Sequence, residues 1–483
     1  VDDGLSGGGL SGGGLSGGGS GGISRRRFIQ AAAGLTVLAA CGDSSKSTST
    51  ASTVVPDVTS TLVEPATKLS GDLRILQWSH FVPRHDTWFD PFAKDWGTKV
   101  GVNVGVDHIN QAELLARAAA EISAGEGHDL IEFIFPPASL EKSVLDLSDL
   151  NREAERRFGK QVGLCTRSTF NPTTNKYFGF CHGWAPDPGD YRKTLWEKVG
   201  LPNGPSTYEE LLTGGGRIKS EQGIQLGIGM SNEIDSNMAA RALIWSYGGS
   251  VQDANMNVVL NSPQTVEAVD YMARLFKAAM TDEVFGWGAA SNNQGLIAGS
   301  LSYILNSISA YRSAQTNNPA VASDVYFTSP LRGAQTALAS EHAILVYVIP
   351  NHAKNPDAAK EFLLHLVANY AQNTNQSELY DFPAFPSTVP QLNAWLDNDP
   401  WGSQPSNKLA LLKDAESWST NVGHPGPANA AIGEVFDTFV LPKMMARAAR
   451  GELSAPAAVA EAEAEVKRIF SKWRAEGLVG GTS

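Results

Sequence analysis

Apolar positions along this chain follow two rhythms. "LRILQW" (73–78), "VNVGVDHI" (102–109) and "HDLIEFIF" (128–135) are short runs rich in Leu, Ile and Val, as in strands buried in a sheet. Between them, "HDTWFDPFAKDWGTK" carries its apolar residues at helical spacing, and "QAELLARAAAEISAGEG" (111–127) is an amphipathic helix with glycines at its end. Strand, helix, strand, helix, strand predicts a parallel sheet covered on both faces. Ligands of such sheets bind beyond the carboxyl ends of the strands. Here those ends are Trp78-Ser79-His80 and Phe133-Ile134-Phe135-Pro136.

The pattern then changes. "PNGPSTYEELL" (202–212) predicts a turn feeding a helix capped by Ser206 or Thr207, with Glu209 and Glu210 near the positive end of its dipole. Further on, a helix ends at Gly248-Gly249, a short hairpin follows, and a second helix starts at "NSPQ". "HAILVYVIP" (342–350) reads as a buried strand, and "NPDAAKEFLLHLVAN" as a helix with a capping Asn and an early Pro. The C-terminal "APAAVAEAEAEVKRIFSKW" puts Val459, Val466, Ile469, Phe470 and Trp473 on one apolar stripe.

The first 70 residues have neither rhythm. Residues 5–19 repeat Leu-Ser-Gly-Gly-Gly, a flexible tract that builds no core. "ISRRRFIQAAAGLTVLAACGDSS" (23–45) sets three arginines before a short apolar run and a lone cysteine. The run from Phe28 to Ala40 is shorter than the roughly 20 residues a membrane span needs, and the layout is that of an export signal. Ser24 to Gln30 resembles a twin-arginine signal, and Leu38-Ala39-Ala40-Cys41 resembles the lipobox of bacterial lipoproteins, which implies lipidation at Cys41. A buried acyl chain contributes about 0.8 kcal/mol per methylene without any protein span. The Ser, Thr and Pro that follow Cys41 predict a disordered tether over 41–69. The expected location is the extracytoplasmic face of a bacterial membrane, exported and lipid-anchored.

Charge narrows the partners. The chain carries a net −12, and removing residues 1–40, with three arginines and two aspartates, makes it more acidic still. That argues against nucleic acid and anionic membrane surfaces, which need clustered Lys and Arg. With Cys41 assigned to lipid, Cys165 and Cys181 remain for an oxidising compartment. A disulfide between them, contributing about 3 kcal/mol in the chain-entropy model, is expected; two buried free thiols are the alternative.

Five later segments, in order, carry a family resemblance. "WEKVGLPNGPSTYEELL", "WSYGGSVQDANMNVVLNSPQTVEAVDYMARLFKAAM", "NQGLIAGSLSYILNS", "IPNHAKNPDAAKEFLLHLVAN" and "GELSAPAAVAEAEAEVKRIF" resemble segments of the maltose-binding type (family 1) of extracellular solute-binding proteins of ABC importers. The resemblance implies an α/β, two-lobed periplasmic-binding-protein fold (type II) with hinge crossovers and a C-terminal helical segment. It implies lobe 1 over 70–182 and about 342–395, and lobe 2 over 183–341 and about 396–483, after the leader (1–40) and tether (41–69). It further implies a monomer that captures a small solute and presents it to ABC permease subunits. The segment around Cys165 and Cys181 departs from the family, where a plain Gly-Lys-x-Tyr turn precedes the first crossover.

Sugars present apolar C–H faces and a rim of hydroxyls, so their sites need aromatic faces together with carboxylates, amides or imidazoles. By position the candidates are Trp78, His80, Phe133 and Phe135 at strand ends, Trp184 after the first crossover, and Trp245 before the Gly-Gly turn. Asn306 and Ser307 lie where the family brings a loop to the ligand, and Glu341 is a charge directly before an apolar strand. His424 lies in "VGHPGPANAAIGEVF" (422–436), where small residues precede a helix start. Catalysis is not expected: no His-Glu-x-x-His set occurs, and no Gly-x-Ser-x-Gly elbow occurs outside the flexible Gly/Ser leader. No cofactor or metal is implied. A carbohydrate ligand follows from the aromatics and from the lack of an acidic cluster or an arginine pair among the candidates. The alternatives are a ligand-sensing lipoprotein without transport, or a binding protein for a polyamine, phosphodiester or peptide.

Overall fold

The structure is a computed structural model and describes residues 58–482. The arginine motif, Cys41 and the leader lie outside the described residues. The first strands and helices form where the apolar rhythm puts them: β1 (Asp72–Trp78), α1 (Arg84–Val100), β2 (Asn103–Ile109), α2 (Leu114–Ala124) and β3 (Leu130–Phe133). Helix α1 stops because Gly101 turns left-handed at φ 83°, a conformation glycine adopts without a side-chain clash. The chain then runs through β4 (Phe180–Ala185) and crosses to β5 (Gly189–Arg192), β6 (Gln225–Gly227), α3 (Ile234–Ser246), α4 (Pro263–Ala279), β7 (Leu301–Leu305) and β8 (Val325–Thr328). It returns as β9 (Ala343–Val348), α5 (Pro356–Ala368), α6 (Tyr370–Gln376) and β10 (Phe382–Pro383). Last come α7 (Ala430–Asp437), α8 (Val440–Ala449) and α9 (Ala455–Ala475).

These strands form two principal sheets. One runs β10-β4-β9-β3-β1-β2, with β1 parallel to both β2 and β3 and with β9 antiparallel between β3 and β4. The other runs β8-β5-β7-β6. The chain leaves the first sheet at Ala185, enters the second at Gly189, and comes back at Ala343, which pairs with Ala185. Gly189 is required at this crossing, since a Cβ there would collide with the Tyr303 hydroxyl.

Local chemistry explains the helix ends. Thr207 accepts the Glu210 N–H while the Glu210 carboxylate takes the Ser206 N–H at 2.7 Å, a reciprocal cap. Ser262 and Asn355 cap α4 and α5, each followed by proline. On α9 the buried stripe is Val459, Val466, Ile469 and Phe470, with Trp473 half-buried beside it. Helix α8 packs on α4 and α9, and α7 packs against the turn Ala138–Ser143.

Two expectations need correction. Residues 58–69, assigned to a disordered tether, lie along α5 and α6. The Thr61 N–H bonds Asn369 Oδ1 at 2.7 Å, the Val63 N–H meets His365 Nδ1 at 3.3 Å, and Val58 and Leu62 pack on the core. A few apolar side chains and satisfied N–H groups suffice to dock this stretch. The disulfide is the other. Cys165 and Cys181 are buried free thiols. The Cys181 thiol donates to Gly183 O at 3.2 Å, and burial followed by the Cys181 contact raises the Cys165 pKa well above its usual value. Both lie in dry core, where a thiol behaves as a small apolar group.

Candidate functional site

A cavity of about 570 Å³ opens where loops from the first sheet face helix ends from the second. Its size is that of a small-molecule site. It is lined by Ser79 and Phe81 after β1, Asn110 and Gln111 after β2, and Phe135 after β3. It is also lined by Glu233 at the start of α3, by Ser291 and Gln294, and by Phe436, Asp437 and Phe439 at and just after the end of α7. The rings of Phe135 and Phe436 stack directly on each other in the cavity wall, with centroids 5.4 Å apart. Phe439 has a left-handed backbone, φ 55°, a strained conformation of the kind found at ligand contacts. The cavity thus offers aromatic faces, amides, hydroxyls and carboxylates, which suits a polyhydroxylated ligand.

Behind this wall lies a buried polar layer. His342, just ahead of β9, sits 3.0 Å from Asp187 in the crossover and 3.9 Å from Asp235 in α3. Burial disfavours its charged form, but the Asp187 hydrogen bond and the nearby carboxylates hold its pKa above the usual value. Asp235, raised well above the carboxylate range by burial and by Glu233, accepts from Asn292 at 2.7 Å. In the first sheet, His182 meets Glu132 at 2.8 Å; burial pushes Glu132 up to about 8 and His182 down to about 3.

Among the described residues, His80, His85 and Asp381 bring possible metal-ligand atoms within 4.8 Å of one another. The two imidazoles are stacked, with centroids 4.4 Å apart and planes at 25°, so their in-plane lone pairs run side by side. Zinc needs them to converge at 2.0–2.1 Å. Asp381 holds His80 Nε2 at 3.2 Å and Asn373 Oδ1 holds His85 Nε2 at 3.0 Å. The cluster fits a hydrogen-bonded support for the β1 loop and does not fit a metal centre.

Of the residues singled out from sequence, Phe135 lines the cavity. Trp78 is only 1% exposed and packs behind it, 4.6 Å from His80 and 5.1 Å from Phe81. Phe133 is buried behind Phe135, and Trp184 is buried against Phe382. Asn306 and Ser307 are buried; Asn306 bonds Asn293, while Asn306 Oδ1 and Ser307 Oγ have no partner. Glu341 is buried, pushed up to about 8 by desolvation, and accepts the Val422 N–H at 3.2 Å. Trp245 and His424 meet each other instead, edge to face, in a second cavity of about 400 Å³ at the far end of α3. A helix rise of 1.5 Å per residue puts them roughly 18 Å from Glu233. Sequence reasoning missed Phe81, Asn110, Gln111, Glu233, Phe436, Asp437 and Phe439. The strand-end rule, applied to β2 as well, reaches Asn110 and Gln111; no local pattern marks the others.

A family model described as a bacterial extracellular solute-binding protein matches residues 87–401. A protein of Brucella abortus (strain 2308), named only as a binding protein, is 25% identical over 202 residues, 40% of this chain and 46% of that one. The chain therefore spans about half the length of the curated relatives it matches. Among solved structures, an oligosaccharide periplasmic-binding protein from Synechococcus in complex with zinc is similar at TM-score 0.71 and 19% identity, covering 83% of this chain and 100% of that one. Maltose-bound MalE3 of T. maritima gives 0.67 at 18%, covering 83% and 100%. A sugar transporter protein from Arthrobacter chlorophenolicus with bound laminaribiose gives 0.69 at 15%, covering 82% and 99%. At these identities the likeness establishes the fold, a two-lobed α/β periplasmic-binding-protein fold.

Proposed function

Because this chain belongs to the bacterial extracellular solute-binding proteins, we propose that it captures a small carbohydrate in the cleft for an ABC-type importer. The carrying observation is the cavity itself. Four aromatic residues, Phe81, Phe135, Phe436 and Phe439, line it among amides and carboxylates. Rings of that kind stack on the C–H face of a sugar while the polar groups take its hydroxyls. The sugar ligands of the fold relatives support the same reading. Closure of such a cleft brings both lobes onto one ligand and gives the permease a bound state to recognise. A lipid on Cys41, after export through the twin-arginine route, would hold the protein at the membrane face, and the monomer suffices for capture.

A thermal-shift screen of the purified chain against a carbohydrate library tests this. The reading expects at least one sugar to raise the melting temperature, with the gain lost in Phe135→Ala and Phe436→Ala. Stabilisation only by peptides, polyamines or phosphodiesters would overturn it.

A further inference from the structure

Resting on the carbohydrate reading and narrowing it, we propose that the ligand carries a protonated amine, as an amino sugar does, with the Asp437 carboxylate as its counter-ion. Two charged side chains line the cavity, Glu233 and Asp437, and both are carboxylates; among the described lining residues there is no Lys, Arg or His. Glu233 is already engaged. Its oxygens accept the Asp235 and Ser236 N–H groups at 2.6 Å each, capping α3. The helix N-terminus, the natural seat for an anion, is therefore occupied by the protein's own carboxylate. An acidic sugar would meet repulsion here rather than a partner.

Asp437 is in a different position. Burial first, and Glu434 next, push its pKa up to about 7, and only the field of Arg241 opposes them; no hydrogen bond contributes. Arg241 lies behind the Phe436 ring, 5.0 Å from its centroid, and its Nη1 is turned to Asn237 Oδ1 at 2.8 Å. Asp437 also ends α7, where unpaired carbonyls add negative potential. Phe436 and Phe439, on either side of it in sequence, both line the cavity. An ammonium group is attracted to aromatic faces as well as to the carboxylate. A sugar amine placed beside Asp437 therefore finds both partners in one corner, and its charge keeps the carboxylate ionised.

The test is calorimetry on the purified chain with neutral sugars, uronic acids, and amino sugars paired with their N-acetyl forms, which differ in charge at one atom. The free amine should bind at least roughly tenfold tighter than its N-acetyl form, about 1.4 kcal/mol. Asp437→Asn should remove that preference, so that the free amine and its N-acetyl form bind alike, while leaving the circular dichroism spectrum unchanged. Equal affinity for the amine and its N-acetyl or neutral counterpart would overturn the charge assignment and leave the carbohydrate reading standing. A uronic acid as best ligand would do the same. An amine preference that survives Asp437→Asn would overturn the role of Asp437. Binding in none of the classes would overturn the carbohydrate reading itself.

Discussion

Replacing Glu132 by Gln should make the protein less sensitive to alkaline pH. Glu132 lies within β3, opposite Tyr347 of β9, and is buried. One carboxyl oxygen meets His182 Nε2 at 2.8 Å and the other has no partner. Burial pushes the Glu132 pKa from 4.5 to about 8 and lowers His182 to about 3, so the pair is neutral in the folded state near pH 7. Unfolding returns Glu132 to its ordinary pKa and releases a proton. Its folded pKa is raised, so its contribution is intact below about pH 4.5 and is lost as pH rises through about 8. Linkage over pH 5.5–8 gives a loss of about 3 kcal/mol. Glutamine keeps the shape and can bond His182 without carrying a charge. The unfolding free energy of Glu132→Gln minus that of the parent should thus rise by about 3 kcal/mol between pH 5.5 and 8. Titrating groups remote from Glu132 cancel in that difference. Urea denaturation followed by tryptophan fluorescence at several pH values reads it directly. Parallel pH curves for variant and parent would refute the reasoning, because they would mean that Glu132 ionises with an ordinary pKa in the folded protein.

Phe135→Ala and Phe436→Ala should each weaken ligand binding by about 0.5–1.5 kcal/mol beyond lost contact area, since each removes a ring that lines the cavity; calorimetry measures this. Trp245→Ala, in the second cavity, should leave that affinity unchanged. Ellman's reagent should find no reactive thiol in native Cys41→Ser protein and two after denaturation, because Cys165 and Cys181 are buried and free; none after denaturation would mean a disulfide. In cells, Cys41→Ser should move the protein from membrane to soluble fractions, and Lys at both Arg25 and Arg26 should block export of folded protein; fractionation checks both.

Periodic segments were legible because their information is local. The Ser206–Glu210 cap and the apolar stripe of α9 depend on residues a few positions apart, and the structure has them as the pattern predicts. The strand-end rule reached the cavity at Phe135 but also put forward Trp78 and His80, which stand at the same edge. Those two are buried because Phe81 and Tyr380 pack over them, and Tyr380 arrives from a distant part of the chain. Phe436 and Asp437 come from more distant sequence still, on a helix whose short pattern resembles ordinary core. Trp245 stood out beside its Gly-Gly turn, yet α3 is buried along its whole length and carries it away from the cleft. Val58 and Leu62 were too sparse among serines and threonines to register as a docked strap.

The central claim is capture of a carbohydrate in the cleft without chemistry. Its most direct test is titration of the purified chain with the sugar that most raises its melting temperature, followed by recovery and analysis of the bound sugar. The account predicts saturable one-to-one binding, reduced in both Phe135→Ala and Phe436→Ala, with the sugar recovered intact. Binding that neither substitution affects, or recovery of the sugar as a different compound, would contradict it.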